Sequence, residues 1–339
     1  MPWYEQYIGI TGPLIAPILQ KTEIAFMDAL PEKAKKNEFK LEIVWKNVVL
    51  FTILHILAFY GFYLGFTQAK AKTWGVYWIL SYLAALSVTG GHHRLWTHRS
   101  YKAKTPLRIF YIIGSCLASQ NNVYIWVRDH RMHHKFVDTN ADPHNIQRGF
   151  FFAHMGWLLC KKHPDVTEKG KTVDMSDVLS DPIVRFQKRY FKRLTILITL
   201  IIPTLIGVYL LGESFTLSFC LLGMARVVNI LHATWTVNSF AHYTGYRPFD
   251  VSQEARENLF VSILSSGEGW HNYHHVFPWD YSTSELGYYY NLTKLFIDLM
   301  AKIGQAYDLR SATTSQISRK KLQGDGIHRW YTVKRLQED

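Results

Sequence analysis

Four long apolar runs constrain this chain more than any other feature. Residues 48–66 (VVLFTILHILAFYGFYLGF) hold one histidine and no formal charge, and residues 74–91 (WGVYWILSYLAALSVTGG) follow closely. Residues 194–212 (LTILITLIIPTLIGVYLLG) and 215–237 (FTLSFCLLGMARVVNILHATWTV) make a second close pair. A helix needs about 20 apolar residues to cross a bilayer core, and each run has about that length. Four of them are hard to hide from water in a chain of 339 residues. The expected fold is an all-α integral membrane protein with four transmembrane helices in two hairpins.

The net charge of +12, with histidines neutral, falls unevenly and so bears on topology. Segment 31–46 is basic, as is the stretch from Arg94 to Arg193 with "KK" at 161–162 and "RFQKRYFKR" at 185–193, and the tail adds "RKK" at 319–321. The links inside the hairpins are short, TQAKAKT at 67–73 and little more than Glu213-Ser214. Basic segments favour the cytoplasmic side. The N-terminus, the long central segment and the C-terminus are therefore expected there, although the lysines of 67–73 run against the rule. This divides the chain into a membrane-surface segment (1–40), a main domain (41–310) with a cytosolic cap (92–193 and 238–310), and a basic tail (311–339). Residues 1–20 have neither the basic start nor the cleavage site of a signal peptide. The basic residues flank apolar runs and form no nucleic-acid module, so no nucleic-acid partner is expected. Cys116, Cys160 and Cys220 are too scattered for a disulfide framework. A sequon, Asn291-Leu-Thr293, falls on the cytoplasmic side and should go unused, which makes it a test of topology.

Histidine spacing carries the chemistry. His130, His133 and His134 in "DHRMHH", and His271, His274 and His275 in "HNYHH", have i, i+3, i+4 spacing. On a helix that spacing aims three imidazoles from one face. His93 and His98 in "HRLWTH" follow the second apolar run, and His242 in "NSFAH" follows the fourth, with Asn238 one turn earlier. All nine should meet at the cytoplasmic mouth of the helices. Nine imidazoles exceed what one ion takes and suit two metals with four or five each. Imidazole suits iron, zinc, copper and nickel. Solitary histidines inside apolar runs, such as His55 and His232, are expected to be satisfied core residues, and His144 in "DPHN" a turn or packing residue. A two-metal site at a membrane makes sense where O2 must be reduced and an unreactive C–H bond broken, which no side chain can do.

Taken in order, "HRLWTH", "RDHRMHHKFVDTNADPHN", "QRGFFFAHMGWLL", "NSFAHYTG" and "GEGWHNYHH" resemble the membrane acyl-CoA desaturases of the stearoyl-CoA (Δ9-type) group, insect enzymes included. The resemblance runs from about residue 40 to about residue 310. It implies two iron ions, held by the nine histidines with Asn238 acting through a water, and O2-dependent insertion of a double bond into a saturated fatty acyl-CoA. Zinc would be an inactive substitute. His92 competes with His93 in "GHHRLWTH", and the match favours His93. The resemblance further places CoA contacts at Asn47, Asn121, Arg128, Asp129, Lys161 and Lys162, the acyl bend at Gln120, Trp126 and Thr234, and the channel's far end near Ser81 and Ala85. Lys161 and Lys162 are equally explained by the positive-inside tendency. No haem-binding HPGG segment occurs, so cytochrome b5 and its NADH-dependent reductase are expected as separate electron donors at the endoplasmic reticulum membrane. The alternatives are a hydroxylase or conjugase on the same site, and a non-catalytic lipid- or metal-binding relative.

Overall fold

A computed structural model describes residues 41–322 and Gly324. The expected surface segment 1–40 and the tail beyond residue 324, with His328, lie outside the described residues. The principal helices are α1 (Trp45–Gln68), α2 (Ala71–Leu86), α3 (Thr105–Ala118), α4 (Val123–Lys135), α5 (Pro182–Leu210), α6 (Phe215–Tyr243), α7 (Leu259–Leu264), α8 (His271–Val276), α9 (Leu292–Lys302) and α10 (Thr314–Lys321). A two-stranded antiparallel pair, β1 (Lys102–Ala103) and β2 (Ala306–Tyr307), ties the end of the cap to the exit of α2.

Among the described residues, α1, α5 and α6 are long and apolar enough to cross a membrane. The second apolar run forms α2, an α-helix of 16 residues that runs on as wider π-type turns through Ser87–Thr97. Tryptophan, tyrosine, serine and paired glycine temper its hydropathy, and it does not join those three. In α5 the helix starts at Pro182, well before the expected boundary at 194. Asp181 caps it by accepting from the Ile183 N–H, and the basic "RFQKRYFKR" then forms its first turns. The best apolar window is 67% buried in α6 and 22% buried in α1 and α5, which makes α6 the central helix of the three.

The two hairpin turns meet. Lys70 donates from Nζ to the carbonyls of Leu211 (3.0 Å) and Gly212 (2.6 Å), and its backbone N–H donates to Glu213 (2.9 Å). Both hairpins therefore point the same way. Lys70, one of the lysines that opposed the topology, is spent on carbonyls left open at the C-terminal end of α5.

Packing near the site depends on small residues. A methyl group at Gly114 of α3 would sit 2.7 Å from the Leu83 carbonyl oxygen of α2, so only glycine lets these helices approach this closely. Tyr101 then donates to the Gly90 carbonyl at 2.8 Å and holds the wide turns in place.

Candidate metal centre

The wide turns at the end of α2 set the first histidines. The His98 N–H donates to the His93 carbonyl, five residues back, at 3.1 Å. A π-type turn thus brings residues five apart close to one face, which an α-helix would splay. On α4, Asn122 caps the helix by accepting from Ile125 N–H at 3.0 Å, and His130, His133 and His134 share one face. His242 follows a break in α6 at Ser239. The "GEGW" segment turns inward where Gly267 adopts φ +114°, and a Cβ there would lie 2.6 Å from Asn291 Oδ1. Asn272 secures the third triplet by accepting from Phe249 N–H (2.8 Å) and donating to the Asp250 (2.8 Å) and Ala255 (2.9 Å) carbonyls.

The nine histidines come together in two groups. His93, His98, His130, His134 and His274 form one, and His133, His242, His271 and His275 the other; within each, the ligand atoms lie within 4.8 Å of one another. His93 and His274 face each other through Nε2 at 2.9 Å, His274 and His134 at 3.0 Å, His271 and His242 at 3.0 Å, and His133 and His275 at 3.2 Å. Nitrogens about 2.0–2.1 Å from a common ion stand about 2.9–3.4 Å apart, so the spacing fits shared metals. Burial first, and the crowding of neighbouring rings second, push His98, His130, His134, His271, His274 and His275 well below the usual imidazole range. Neutral rings are what a metal needs. His98 Nε2 is buried without a hydrogen-bond partner, a lone pair that an ion would satisfy. His92 is buried against Trp126 and lies outside both groups.

Each group has one buried carboxylate behind it, which sequence reading missed. Glu268 Oε2 lies 2.7 Å from His93 Nδ1, and its Oε1 accepts from Arg94 at 2.8 Å. Asp142 Oδ2 lies 2.9 Å from His133 Nδ1. Burial alone would raise both carboxyls. Arg94 and His93 outweigh it and hold Glu268 at about 2, while His133 and His144 hold Asp142 well below the carboxylate range. Such partners fix the tautomer and orientation of a ligating ring. The available signal was weak: Glu268 lies three residues before "HNYHH", and Asp142 follows "HRMHH" in company with Asp129 and Asp138. His144, expected as a turn or packing residue, lies in a turn and packs its ring 4.3 Å from that of His133.

Two cavities meet at the histidines. One runs from Ala85 and Val88 to His93 and His271, and the other from Phe51, Asn121 and Asp129 to His144. Trp126, His130, Thr234 and Asn238 line both. At this junction Gln120 donates to Thr234 Oγ1 at 2.7 Å and accepts from Trp126 Nε1 at 3.3 Å. Asp129 pairs with both Arg128 and Lys162 at the outer cavity. Asn47 donates to the Leu158 carbonyl at 2.8 Å beside it. Lys161 also has a partner. Ser81 is buried on α2, lines neither cavity, and its hydroxyl has no partner.

A family model described as fatty acid desaturase matches residues 72–308. The chain belongs to the fatty acid desaturase family. Among its relatives, an "Acyl-CoA Delta-9 desaturase" of Acheta domesticus is 48% identical over 97% of this chain and 92% of its own length. An "Acyl-CoA Delta12-desaturase" of the same species is 50% identical over 94% and 90%. The "Stearoyl-CoA desaturase" of Homo sapiens is 50% identical over 86% and 81%. In this desaturase both histidine groups fall within the matched span, since His93 and His275 bound them in sequence.

Proposed function

We propose that this chain is an O2-dependent acyl-CoA desaturase that inserts a double bond into a saturated fatty acyl-CoA with two bound iron ions. The observation that carries this reading is the pair of imidazole groups facing the junction of two cavities. His93, His98, His130, His134 and His274 would hold one ion. His133, His242, His271 and His275 would hold the other, with Asn238 helping through a water. Bound iron would supply the O2 reduction and C–H cleavage that side chains cannot.

The chain's own residues position the substrate. Asn121 and Asp129 line the outer cavity, Arg128 and Lys162 pair with Asp129, and Asn47 bonds the Leu158 carbonyl; together with Lys161 they would take the CoA, whose phosphates suit the cations. The Gln120–Thr234–Trp126 hydrogen bonds make the junction rigid and would hold the acyl chain bent there, placing one pair of carbons beside the histidines. Ala85 lines the inner cavity, and Ser81 lies one helical turn beyond it on α2. Apolar walls keep bulk water from the reacting carbons.

On the cap's outer side, His98 lies at an open hollow lined by Lys135 and Arg310, by Arg99 and Arg131, which Asp177 pairs, and by Asp174, so cations outnumber acids there. This supports an acidic electron donor, cytochrome b5 with its NADH-dependent reductase, steered by opposite charge. We place the chain in the endoplasmic reticulum membrane with four spans and both termini cytosolic. The contact between the two hairpin turns supports that topology. Its sequon cannot test it: Asn291 is buried, with Nδ2 donating to the Ser282 carbonyl at 2.6 Å, so a glycan could not be carried on either side. Protease protection of chains tagged at either end is the appropriate measurement.

Microsomes containing the protein should convert a saturated acyl-CoA into a monoenoic product, dependent on NADH and O2, and His133→Ala should abolish the conversion. Full activity in that variant would refute the metal role. Mass spectrometry of the product separates desaturation from hydroxylation or conjugation.

A further inference from the structure

His55 and His232 lie inside apolar runs, yet neither is solitary. His55 Nε2 faces His232 Nε2 at 3.0 Å, His232 Nδ1 faces His154 Nε2 at 2.9 Å, and His154 Nδ1 faces Ser239 Oγ at 2.8 Å. The string joins α1, α6 and the segment Phe152–Gly156. Both ends stop at backbone carbonyls: His55 Nδ1 is 2.7 Å from the Phe51 oxygen, and Ser239 Oγ is 2.9 Å from the Trp235 oxygen.

A carbonyl oxygen only accepts, so a proton count decides the state of this string. Five junctions need five protons, whereas three neutral imidazoles and one hydroxyl bring four. Satisfying both carbonyls sets the rest. His55 donates from Nδ1 to Phe51, and the Ser239 hydroxyl donates to Trp235. His154 must then donate from Nδ1 to Ser239, and His232 from Nδ1 to His154. The Nε2 lone pairs of His55 and His232 are left pointing at each other across 3.0 Å.

We propose that a divalent transition-metal ion, Zn2+ or Cu2+, binds between His55 Nε2 and His232 Nε2 and bridges α1 to α6. Facing Nε2 atoms at this separation are how paired rings stand within the nine-histidine groups, at 2.9–3.2 Å. The outer nitrogen of each ring is engaged by a backbone carbonyl or a further acceptor, the arrangement that orients a ligating histidine. His154 contributes by fixing the tautomer of His232. All three rings are half-buried. Trp235 packs against the set, its ring 5.0 Å from His232 and 6.5 Å from His55. Phe51 and Trp235 also line the outer cavity, so the ion would brace that wall from behind.

The test uses the full chain in detergent with iron already loaded. After equilibrium dialysis against micromolar Zn2+, elemental analysis should find one further equivalent of zinc in the wild type than in His55→Gln or His232→Asn, with equal iron in all three. His154→Gln should keep the site and weaken it by about 10–100-fold, as loss of an orienting partner does. Cu2+ should quench tryptophan fluorescence in the wild type, and Trp235→Phe should remove that saturable component. Unchanged iron content shows that the variants fold. Equal zinc in wild type and both ligand variants would overturn the proposal, as would zinc gained only where iron is lost. A wild type that takes up no further zinc would also overturn it, leaving the string to hold a shared proton instead.

Discussion

Glu268 and Asp142 show what single residues do behind a histidine cluster. Each turns one ring of its group, and Glu268 also neutralises Arg94, which is fully buried. Glu268→Gln should lower the affinity of the five-histidine group by about 10–100-fold. By leaving a buried guanidinium unpaired it should also cost about 3–5 kcal/mol of stability. Metal content after dialysis and chemical denaturation measure the two effects. Wild-type metal content in this variant would show that His93 orients itself. A second residue-scale expectation concerns acid. Asp177 pairs with Arg131 (2.8 Å) and Arg99 (2.7 Å), and Arg131 also donates to the Trp96 carbonyl (2.7 Å) at the end of α2. Burial raises the Asp177 carboxyl, but the two guanidiniums outweigh it and bring it from 3.8 to about 2. The stability from this group is present above its unfolded value and is lost as pH falls toward about 2. Asp177→Asn should flatten the melting temperature in that window.

At the scale of elements, the exit of α2 does most to build the site, because wide turns bring His93 and His98 together. Those turns pack on α3 through glycine. Gly114→Ala should force the helices apart and destabilise by about 1–3 kcal/mol, as overpacking does. It should also reduce metal retention, because α2 carries two ligands of one group. Unchanged melting and metal content would show that the crossing tolerates a methyl. The third triplet depends on a different element. Glu257 is buried and accepts from the Tyr273 N–H at 2.7 Å, and burial pushes its carboxyl from 4.5 up to about 8. A raised folded value gives stability that is full below the unfolded value and lost as pH rises through about 8. Glu257→Gln should therefore raise the melting temperature at alkaline pH and change little in mild acid. An alkaline melting temperature no higher than wild type would remove Glu257 from the account.

For the whole molecule, the two cavities that share Trp126, His130, Thr234 and Asn238 matter most. Ala85→Phe should fill the inner cavity and shift products toward shorter acyl chains, read from the chain-length distribution of the monoenes. An unchanged distribution would place the channel's end elsewhere. Double-bond position is a finer property. A Δ9 and a Δ12 relative are 48% and 50% identical to this chain, so overall identity does not separate them.

Much of this molecule was legible in the sequence because its strongest constraints are local. A bilayer demands long apolar runs, a helix face demands i, i+3, i+4 spacing, and the ordered histidine boxes are specific enough to indicate the family. Contacts between distant segments are set by packing and leave no periodicity to read. That is why Glu268, Asp142 and the string linking His55, His232 and His154 are not legible in the sequence, and why the burial that removes the Asn291 sequon as a test of topology is not either. The start of α5 was misplaced because a basic amphipathic stretch can continue an apolar helix without a break. Composition and spacing thus determined the membrane class, the nine imidazoles and the family. Only the tertiary structure divided those imidazoles into five and four, gave each group its carboxylate and joined two cavities beside them, because each depends on which residues far apart in the chain come within a few ångströms.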